Sequence, residues 1–490
     1  MGVAVSAVTE SKAYAMGRCA VSQLIDTFRT TERLDEQALE RLVHAATHPR
    51  PAVAKVGLHC LFRLFVEHLS DSFDPALARL YDMSFAQVID HCRRASRGQG
   101  LRKTLLRFDI HSPDRMLARK RQHDISTLRD QLRRQMIECC VVPSRVTLGA
   151  DIAVTTVVVH AILQQCPKAR VLLLGDSRLA ELFYGRSRVE ILRVSYPASG
   201  NLFERLDSWC DAVALVDDAF KGQDARACLV VDPDSRITQL GLLPLAPKST
   251  LNLHFASRSF MVGGETHLST LSGLWLRERL GGDLRGPRID LPTASRAFAA
   301  PVQSRLCPPG RPLVSVSLGV GGNDAKRLGL DFELLLLQRL MAVPATVLLF
   351  RGTGAEENAR TAQLMAALRA TTSPRIAVLS GQDPSCIPVE SHCDLVTWQG
   401  PVGAYCALIE RSQLHIGYDS CGQHAAAALG VPTIDIFADG TNPALETRWT
   451  PAGRAGVHVV RSYDQVDVRS VVDRALLFTE RELTRWLQRQ

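Results

Sequence analysis

The chain has 490 residues, of which 46% are hydrophobic and 22% are charged. This composition is typical of a globular protein, and the length allows two or three domains with hydrophobic cores of their own. We expect no membrane-spanning segment, because no apolar run approaches the length needed to span a bilayer and no apolar signal stretch follows Met1; the expected location is therefore cytoplasmic. The 13 cysteines include no CxxC pair, which favours reduced thiols and predicts neither a disulfide framework nor a zinc or iron site.

The net charge of +8 is concentrated between residues 91 and 140, where thirteen Lys or Arg face five Asp or Glu. A basic helical surface of this kind can make peripheral contact with an anionic membrane, such as an inner membrane, or bind an acidic saccharide. An ordinary solvated helix surface is the alternative. Aromatic residues are sparse in this segment, so nucleic-acid binding is not expected.

Residues 1–140 show the helical spacing of apolar residues and no convincing strand. Asp35 and the Ser112-Pro113 pair are typical of helix starts. We therefore expect an all-helical accessory region over residues 1–140, separable from the rest of the chain.

Strands and helices alternate from about residue 144 onward. Apolar runs predict strands at Val171–Leu174, Val213–Val216 and Leu229–Val231. We expect a Rossmann-like domain over residues 141–290, followed by a linker rich in Pro and Gly at residues 291–312.

The alternation restarts at Leu313 and continues to about Phe437, which predicts a second Rossmann-like domain over residues 313–460. A helical pattern over residues 461–490 ends the chain. The predicted fold class is α/β, with two facing Rossmann-like domains, a cleft between them and an all-α region before them.

The most informative motif is GYDSCGQHAAAALGVP, residues 417–432. An apolar run ends in Asp419 and Ser420, and a helix of small residues opens at Gly422, as in a strand–turn–helix unit of a parallel sheet. The N–H groups of the first helical turn, with Ser420 and His424, are suited to bind an anion at the positive end of the helix. The motif predicts a phosphate site, and an ordinary packing turn is the alternative.

A second motif places Gly149 and Asp151 between a short apolar strand and a helix. The carboxyl end of a first strand faces the cleft in an open α/β sheet. Asp151 is therefore predicted either to cap the helix or to act as a general base that points into the cleft.

The third motif is SLGVGGNDAKRL, residues 317–328, which follows another apolar strand. Gly319, Gly321 and Gly322 allow tight turns, and Lys326 brings a mobile ammonium to a phosphate. The glycine spacing fits neither a Rossmann dehydrogenase nor a Walker loop. A surface lysine on a glycine-rich loop is the alternative.

Three weaker candidates also follow predicted strands. Glu356 is placed to reach a ribose hydroxyl, and Gly400 ends a Trp-Gln-Gly turn. In residues 232–245, contacts to an acceptor or donor sugar are predicted for Asp234, Ser235 and Arg236. Plain connections, or a capped helix start in the last case, are the alternatives.

The three motifs occur in the order found in the ADP-heptose:lipopolysaccharide heptosyltransferases of glycosyltransferase family 9, which residues 144–460 resemble. Gly149 and Asp151 resemble the Gly-Asp pair of that family, with Ala150 inserted between them. Lys326 resembles the lysine of its glycine loop. The family also has a donor-diphosphate site, and the residues of this chain that resemble it are Asp419, Ser420, Gly422, His424, Gly430 and Pro432. In the family, the glycine of this site lies where this chain has Cys421.

The resemblance implies the two-domain GT-B fold and a metal-independent, inverting sugar transfer. The donor would be a nucleoside-diphosphate sugar such as ADP-heptose, the acceptor a hydroxyl of a glycan, lipid or protein, and no cofactor is implied. Asp151 would be the base that activates the acceptor. The donor diphosphate would be bound by residues that include Lys326. The donor-binding residues implied are Asn323, Lys326, Glu356, Gly400, Asp419, Ser420, Cys421, Gly422 and His424.

The family acts in lipopolysaccharide biosynthesis, but the helical extension departs from its plan and leaves the acceptor open. Two other functions also stay open. A non-catalytic nucleotide-sugar-binding or regulatory GT-B protein is favoured by the inserted Ala150 and the displaced Gly422. A sugar-nucleotide epimerase shares the architecture, although the sequence shows no convincing second set of acid and base residues.

Overall fold

A computed structural model describes residues 10–125, 136–197, 199–283, 286–321, 323–352, 354–387, 393–438, 440, 442–465 and 467–489. Gly322 and residues 126–135, which the sequence analysis included in the glycine loop and in a basic helix, lie outside these ranges.

The described part of the N-terminal region is helical, as predicted. Asp35 caps the second helix by accepting a hydrogen bond from the Ala38 N–H at 2.9 Å. The helical segments are Glu10–Thr31, Glu36–Ala46, Pro51–His59, the π-helical Cys60–Val66, Glu67–Asp71, Pro75–Arg94, Gln99–Arg107 and Pro113–Ile125.

The last of these helices is less available to a membrane than its sequence indicated. Arg119 is buried and donates to the Ala246 carbonyl oxygen at 2.6 Å. Lys120 is also buried and pairs with Asp82 at 3.3 Å. These two cations stabilise the contact of the helix with the rest of the chain, so they do not belong to an exposed basic surface.

The first sheet is fully parallel, with the strand order β3-β2-β1-β4-β5. Central strands such as β1 are buried along their whole length because helices cover both faces of the sheet. The strands are β1 Cys139–Pro143, β2 Arg170–Gly175, β3 Val189–Arg193, β4 Cys228–Asp232 and β5 Leu251–His254, and the helices are Leu148–Gln165, Leu202–Ala219 and Leu268–Arg279.

The strand predicted at Val213–Val216 is wrong, because this run lies inside the helix Leu202–Ala219. Asn201 and Glu204 form a capping box at the start of the helix. A short apolar run does not by itself distinguish a buried strand from the buried face of a helix. The helical period becomes visible only when Trp209 is counted with the run.

The helix Leu148–Gln165 also corrects the expectation that no segment has the length and apolarity of a membrane span. It is the one such segment among the described residues, and 61% of it is buried inside the protein. This burial is that of a core helix, which here covers one face of the first sheet.

The second sheet is parallel as well, with the order β12-β11-β10-β6-β7-β9-β8. Its strands are β6 Leu313–Ser317, β7 Thr346–Phe350, β8 Ile376–Ser380, β9 Leu395–Gln399, β10 Leu414–Tyr418, β11 Thr433–Phe437 and β12 Val457–Arg461. The helices of this half are Leu330–Ala342, Ala355–Thr371, Val402–Arg411, Cys421–Leu429, Pro443–Trp449 and Val468–Leu487.

The connection between the halves contains a helix, Thr293–Leu306, although the sequence indicated a linker without periodicity. Pro301 lies inside this helix, which explains why the segment resembled a linker. The helix is joined to the second half by Arg296, which makes two hydrogen bonds of 2.8 Å to Glu410.

The helical region and the first sheet share one hydrophobic core. Phe85 and Leu105 of the helices belong to the same buried cluster as Val141, Leu172 and Trp209 of the first half. A second cluster crosses the junction of the two halves and includes Ile152 and Ala425. The halves are therefore packed against each other, and the helical region is an integral layer of the first one.

Candidate functional site

Two loops meet at the carboxyl edge of the second sheet. Strands β6 and β10 are neighbours, with Ser317 opposite Gly417, so the segments that follow them lie side by side. Lys326, in the loop after β6, contacts the carboxylate of Asp419 and lies 3.2 Å from the Asp419 carbonyl oxygen. The loop lysine and the turn after β10 thus form one site.

Lys326 stays protonated in this site, although it is partly buried. Burial alone would lower the pKa of Lys326, but the adjacent Asp419 carboxylate raises it above its ordinary value. The ammonium is therefore positive at neutral pH and lies beside the start of the helix Cys421–Leu429. A cation and the positive end of a helix together favour an anion.

The start of this helix is shaped by two residues that the sequence singled out. Ser420 is the N-cap, and its N–H donates to Gln423 Oε1 at 3.3 Å. Gly422 is buried, and a Cβ at this position would lie 2.5 Å from Tyr405 Oη and 2.6 Å from His415 Nε2. Gly422 therefore allows the helix to pack on Tyr405, which is the close-contact role that the sequence left open.

The other two residues of the turn are neutral at pH 7. Burial lowers the pKa of His424 to about 4, and its ring lies edge-on to Trp449 with centroids 5.9 Å apart. Burial raises the pKa of Cys421 to about 11. His424 can donate one hydrogen bond as a neutral imidazole, and Cys421 is a protonated thiol.

The start of the helix Leu148–Gln165 faces this turn from the other half of the molecule. A Cβ at Gly149 would lie 3.3 Å from Cys421 Cα and 3.3 Å from His424 Cδ2. The absence of a side chain at Gly149 allows this approach. The motifs of the two halves are thus neighbours across the domain junction, although Gly149 and Cys421 are 272 positions apart in the chain.

Asp151 lies at this junction, but it does not cap the helix. The N-cap is Thr147, and Asp151 lies in the π-helical segment Asp151–Thr155. Its Oδ1 accepts from the Arg145 N–H and from Thr155 Oγ1, and its Oδ2 accepts from Ser144 Oγ, each at 2.7 Å. The side chain is thereby oriented by the loop that follows β1.

The environment of Asp151 is dry, since only 3% of the residue is exposed. Burial raises the pKa of Asp151, and the hydrogen bonds from Thr155 and Ser144 oppose this effect. Val146, in the same loop, has φ 77°, which is strained for a β-branched residue. Strain of this kind persists where the surrounding contacts hold the backbone in place.

Arg145 connects this loop to the second half. Its guanidinium lies 5.7 Å from the centroid of Trp449, the residue that also contacts His424. It donates to the Pro233 carbonyl oxygen at 2.5 Å and to Ser257 Oγ at 3.2 Å. The sequence analysis missed Arg145, although it is the first charged residue after the buried strand β1.

The segment after β4 forms a buried polar cluster. Asp234 accepts from Ser257 Oγ at 2.6 Å and contacts the guanidinium of Arg258. Burial would raise the pKa of Asp234, but Arg258 outweighs it and lowers the pKa well below its usual value. Ser235 donates to the Ser144 carbonyl oxygen at 2.5 Å. Both side chains therefore hold loops together.

Arg236, the third candidate in that segment, lies near the helical region. Burial acts to lower the pKa of Arg236, but Tyr196, Asp71 and Glu67 raise it above its ordinary value. Two of these three groups belong to the helical region, which therefore lies close to Arg236.

The remaining predicted donor residues lie around the glycine loop. Asn323 begins the short helical turn Asp324–Lys326. Glu356 is exposed at the start of the helix Ala355–Thr371 and lines a cavity of about 500 Å³ with Asp324 and Arg327. Gly400 packs against Trp398, whose side chain a Cβ there would approach to 2.5 Å.

The next residue along, Glu357, is the carboxylate that faces the glycine loop. Its Oε1 accepts from the Gly321 N–H at 3.4 Å, and a Cβ at Gly319 would lie 2.7 Å from the same oxygen. The sequence analysis chose Glu356 instead, because two adjacent glutamates at a helix start are distinguished only by the direction of each side chain.

No protein-family model and no curated protein matches the chain. Among solved structures, it is similar to a glycosyl transferase family 9 protein from Veillonella parvula DSM 2008, with a TM-score of 0.51 and 14% identity. That match covers 71% of this chain and 97% of the other. The chain has the GT-B fold.

Two further similar structures have TM-scores below 0.5. The ADP-heptose lipopolysaccharide heptosyltransferase II of E. coli has a TM-score of 0.43 and 14% identity, with 70% of this chain and 99% of that chain covered. A putative UDP-N-acetylglucosamine 2-epimerase from Listeria monocytogenes has a TM-score of 0.37 and 13% identity, with 72% and 91% covered.

Proposed function

We propose that the protein is a GT-B glycosyltransferase that binds a nucleoside-diphosphate sugar at Lys326 and the turn after β10. The observation that carries this proposal is the contact between Lys326 and Asp419, 93 positions apart in the chain, beside a helix start. Fold similarity alone would not assign an activity. Three groups that favour a diphosphate meet at the carboxyl edge of a parallel sheet. They are the ammonium of Lys326, the start of the helix Cys421–Leu429 and the hydroxyl of Ser420.

In this proposal, the chain itself neutralises the leaving diphosphate. The acceptor oxygen forms a bond to the anomeric carbon of the donor as the bond from that carbon to the diphosphate breaks, which inverts the configuration. Negative charge grows on the diphosphate, where Lys326 and the N–H groups of the first helical turn at Cys421 and Gly422 stabilise it. No group of three His, Cys, Asp or Glu among the described residues is placed to hold a metal ion.

Asp151 is the proposed base for the acceptor hydroxyl. An ionised carboxylate has about four lone-pair sites, and hydrogen bonds within the protein use three of them. Among the described residues, only Ser144 donates to Oδ2, which therefore retains the capacity to take the acceptor proton. The raised pKa makes the carboxylate a stronger base than an exposed aspartate.

The donor is proposed to be an ADP-linked heptose or a related sugar nucleotide, on the strength of the family-9 resemblance of the three motifs. The acceptor is a hydroxyl of a glycan, lipid or protein. Because charged groups of the helical region lie close to Arg236, in the segment after β4, we expect the acceptor to differ from that of a two-domain enzyme without this region.

Donor binding is tested by calorimetric titration of ADP, UDP and dTDP with a chelator present. We expect at least one of them to bind, and Lys326→Ala to weaken that binding about tenfold or more, since a charge-assisted hydrogen bond contributes about 1.5–3 kcal/mol. Lys221→Ala, at an exposed lysine beyond the helix Leu202–Ala219, is the matched control. Binding that appears only after magnesium is added would contradict the proposal.

A non-catalytic nucleotide-sugar-binding protein is the second candidate, and one observation favours it. All three hydrogen bonds to Asp151 come from its own half of the molecule, and the carboxylate is almost fully buried. Such a carboxylate also fits a purely structural role, in which it holds the loop that follows β1 in place. The two candidates differ in whether donor sugar is consumed when an acceptor is present.

We also propose a cytoplasmic location with peripheral membrane contact through the short helix Gln99–Arg107. Leu106 is 57% exposed, and Arg102, Lys103 and Arg107 are exposed around it. An apolar side chain among cations suits an anionic lipid surface. Co-flotation with phosphatidylglycerol vesicles, lost in Leu106→Asp and absent with neutral lipid, is the expected result. Equal flotation of the variant would contradict the contact.

A further inference from the structure

A large cavity lies between the two halves, away from the proposed donor site. Its volume is about 990 Å³, and both halves line it. The first half contributes the C-terminal part of the helix Leu148–Gln165, and the second contributes Ala427–Leu429 at the far end of the helix Cys421–Leu429. The cavity is thus at the opposite end of the helix whose start forms the proposed donor site.

The position of the cavity relative to the strands supports this separation. Arg186 and Arg188 precede β3, and Gly453 and Arg454 precede β12. The cavity is therefore at the amino edge of the sheets. Ligands of open α/β sheets bind outside the carboxyl ends of the strands, so the donor nucleotide does not account for a cavity here.

Four arginines are among the residues that line the cavity: Arg186, Arg188, Arg288 and Arg454. Arg186 and Arg288 share the single carboxylate of Asp290, at 2.8 and 3.1 Å, and His160 also contacts it at 2.9 Å. Arg454 is exposed and forms no ion pair with any of the described residues. The cations around the cavity outnumber the carboxylate that partners them.

The other acidic residue at the cavity does not offset this surplus. Glu410 already accepts hydrogen bonds from Nε and Nη2 of Arg296, at 2.8 Å each, and Arg296 lies outside the cavity lining. The negative end of the helix Leu148–Gln165 is neutralised by Arg188, which donates to the carbonyl oxygens of Leu163, Cys166 and Ala169 at 2.8, 3.1 and 3.0 Å.

The end of the helix from the second half is satisfied as well. Gly430, with φ 77°, ends that helix in the left-handed conformation, and the Val431 N–H donates to the Ala426 carbonyl oxygen at 2.9 Å. The electrostatic field in the cavity is therefore set by the surplus arginines, which favour an anion.

We propose that this cavity binds a phosphorylated small molecule. Arginine presents paired donors that match phosphate oxygens, and the volume is that of a small-molecule site rather than of a single ion. Leu163, Ile289 and Leu429 provide apolar surface for the organic part of the ligand. Because both halves line the cavity, a bound molecule bridges them.

The test is a titration of the full chain with inorganic pyrophosphate, in which binding is measured by calorimetry and by thermal melting. We expect binding that Lys326→Ala retains, and that adding Arg288→Gln/Arg454→Gln to the Lys326→Ala chain weakens about tenfold or more. Arg288 is 54% exposed and Arg454 is exposed, so these changes leave the core intact. Arg339→Gln, at an equally exposed arginine paired with Asp473, is the matched control.

Three results would overturn the proposal. The first is no binding of pyrophosphate at millimolar concentration, and the second is unchanged binding when Arg288→Gln/Arg454→Gln is added to the Lys326→Ala chain. The third is arginine-dependent binding to phosphatidylglycerol vesicles with none to pyrophosphate, which would assign the arginines to a lipid surface. If the wild-type chain binds no nucleotide, the proposed function fails. The three outcomes above can still be measured with pyrophosphate and vesicles, so the two proposals are tested separately.

Discussion

Replacing Asp151 with Asn keeps the shape of the side chain but removes its ability to accept a proton. An amide oxygen in place of Oδ1 preserves the hydrogen bonds from the Arg145 N–H and Thr155 Oγ1, both 2.7 Å long. The amide nitrogen then faces Ser144 Oγ, which donates to the carboxylate in the wild-type chain at 2.7 Å. The serine hydroxyl must turn to accept instead.

The cost of this change to folding is small. One reorganised hydrogen bond corresponds to about 0.5–1.5 kcal/mol, and a shift of a few degrees in Tm at most. The cost to catalysis is much larger if Asp151 is the base, since general-base assistance contributes on the order of 10²–10⁴ in rate. Turnover should fall by about that factor, while nucleotide affinity, which we propose to depend on Lys326, should change little.

The assay measures nucleoside-diphosphate release with donor and acceptor present, together with calorimetric nucleotide binding and thermal melting. Ser144→Ala is the matched control, because it loses the same hydrogen bond but keeps the carboxylate. Wild-type turnover should also decline as the pH falls through the raised pKa of Asp151, since the protonated carboxyl cannot act as a base. Transfer by Asp151→Asn at the level of Ser144→Ala would refute the reasoning and favour the non-catalytic candidate.

Three further predictions concern stability. Burial and the nearby Asp419 raise the pKa of Asp435 well above its usual value, so the folded state favours the protonated carboxyl. The contribution of Asp435 to the free energy of unfolding is therefore present at low pH and falls by about 1.4 kcal/mol per pH unit as the pH rises. The Tm of Asp435→Asn relative to the wild type should therefore increase between about pH 5 and about pH 8, and a constant difference would contradict this. Gly422→Ala should destabilise the fold by about 1–3 kcal/mol because its Cβ would meet Tyr405 Oη. Adding Tyr405→Phe should recover part of the loss, and no recovery in the double-mutant cycle would sink this explanation. Removal of residues 1–136 should give an insoluble chain, because Val141 and Leu172 lose the helices that cover them. A soluble shortened chain that binds nucleotide would restore the expectation of a separable region.

The amino-acid sequence by itself determined the fold class and the place of the turn and helix start after β10. Runs of buried β-branched and leucine residues alternate with helical patterns, and this local signal is strong when strands are buried on both faces. The turn at Asp419 and Ser420 was visible because a helix start after a parallel strand has a characteristic composition. These features depend on residues close together in the chain.

Other features were decided only by tertiary structure. The pairing of Lys326 with Asp419 depends on β6 and β10 being neighbours, and the approach of Gly149 to Cys421 depends on how the two halves pack. The sequence also did not show that the helical region shares a core with the first sheet, since an amphipathic helix does not specify the surface that covers it. Strand order, domain packing and side-chain direction are set by contacts between distant residues, and a local pattern carries no information about them.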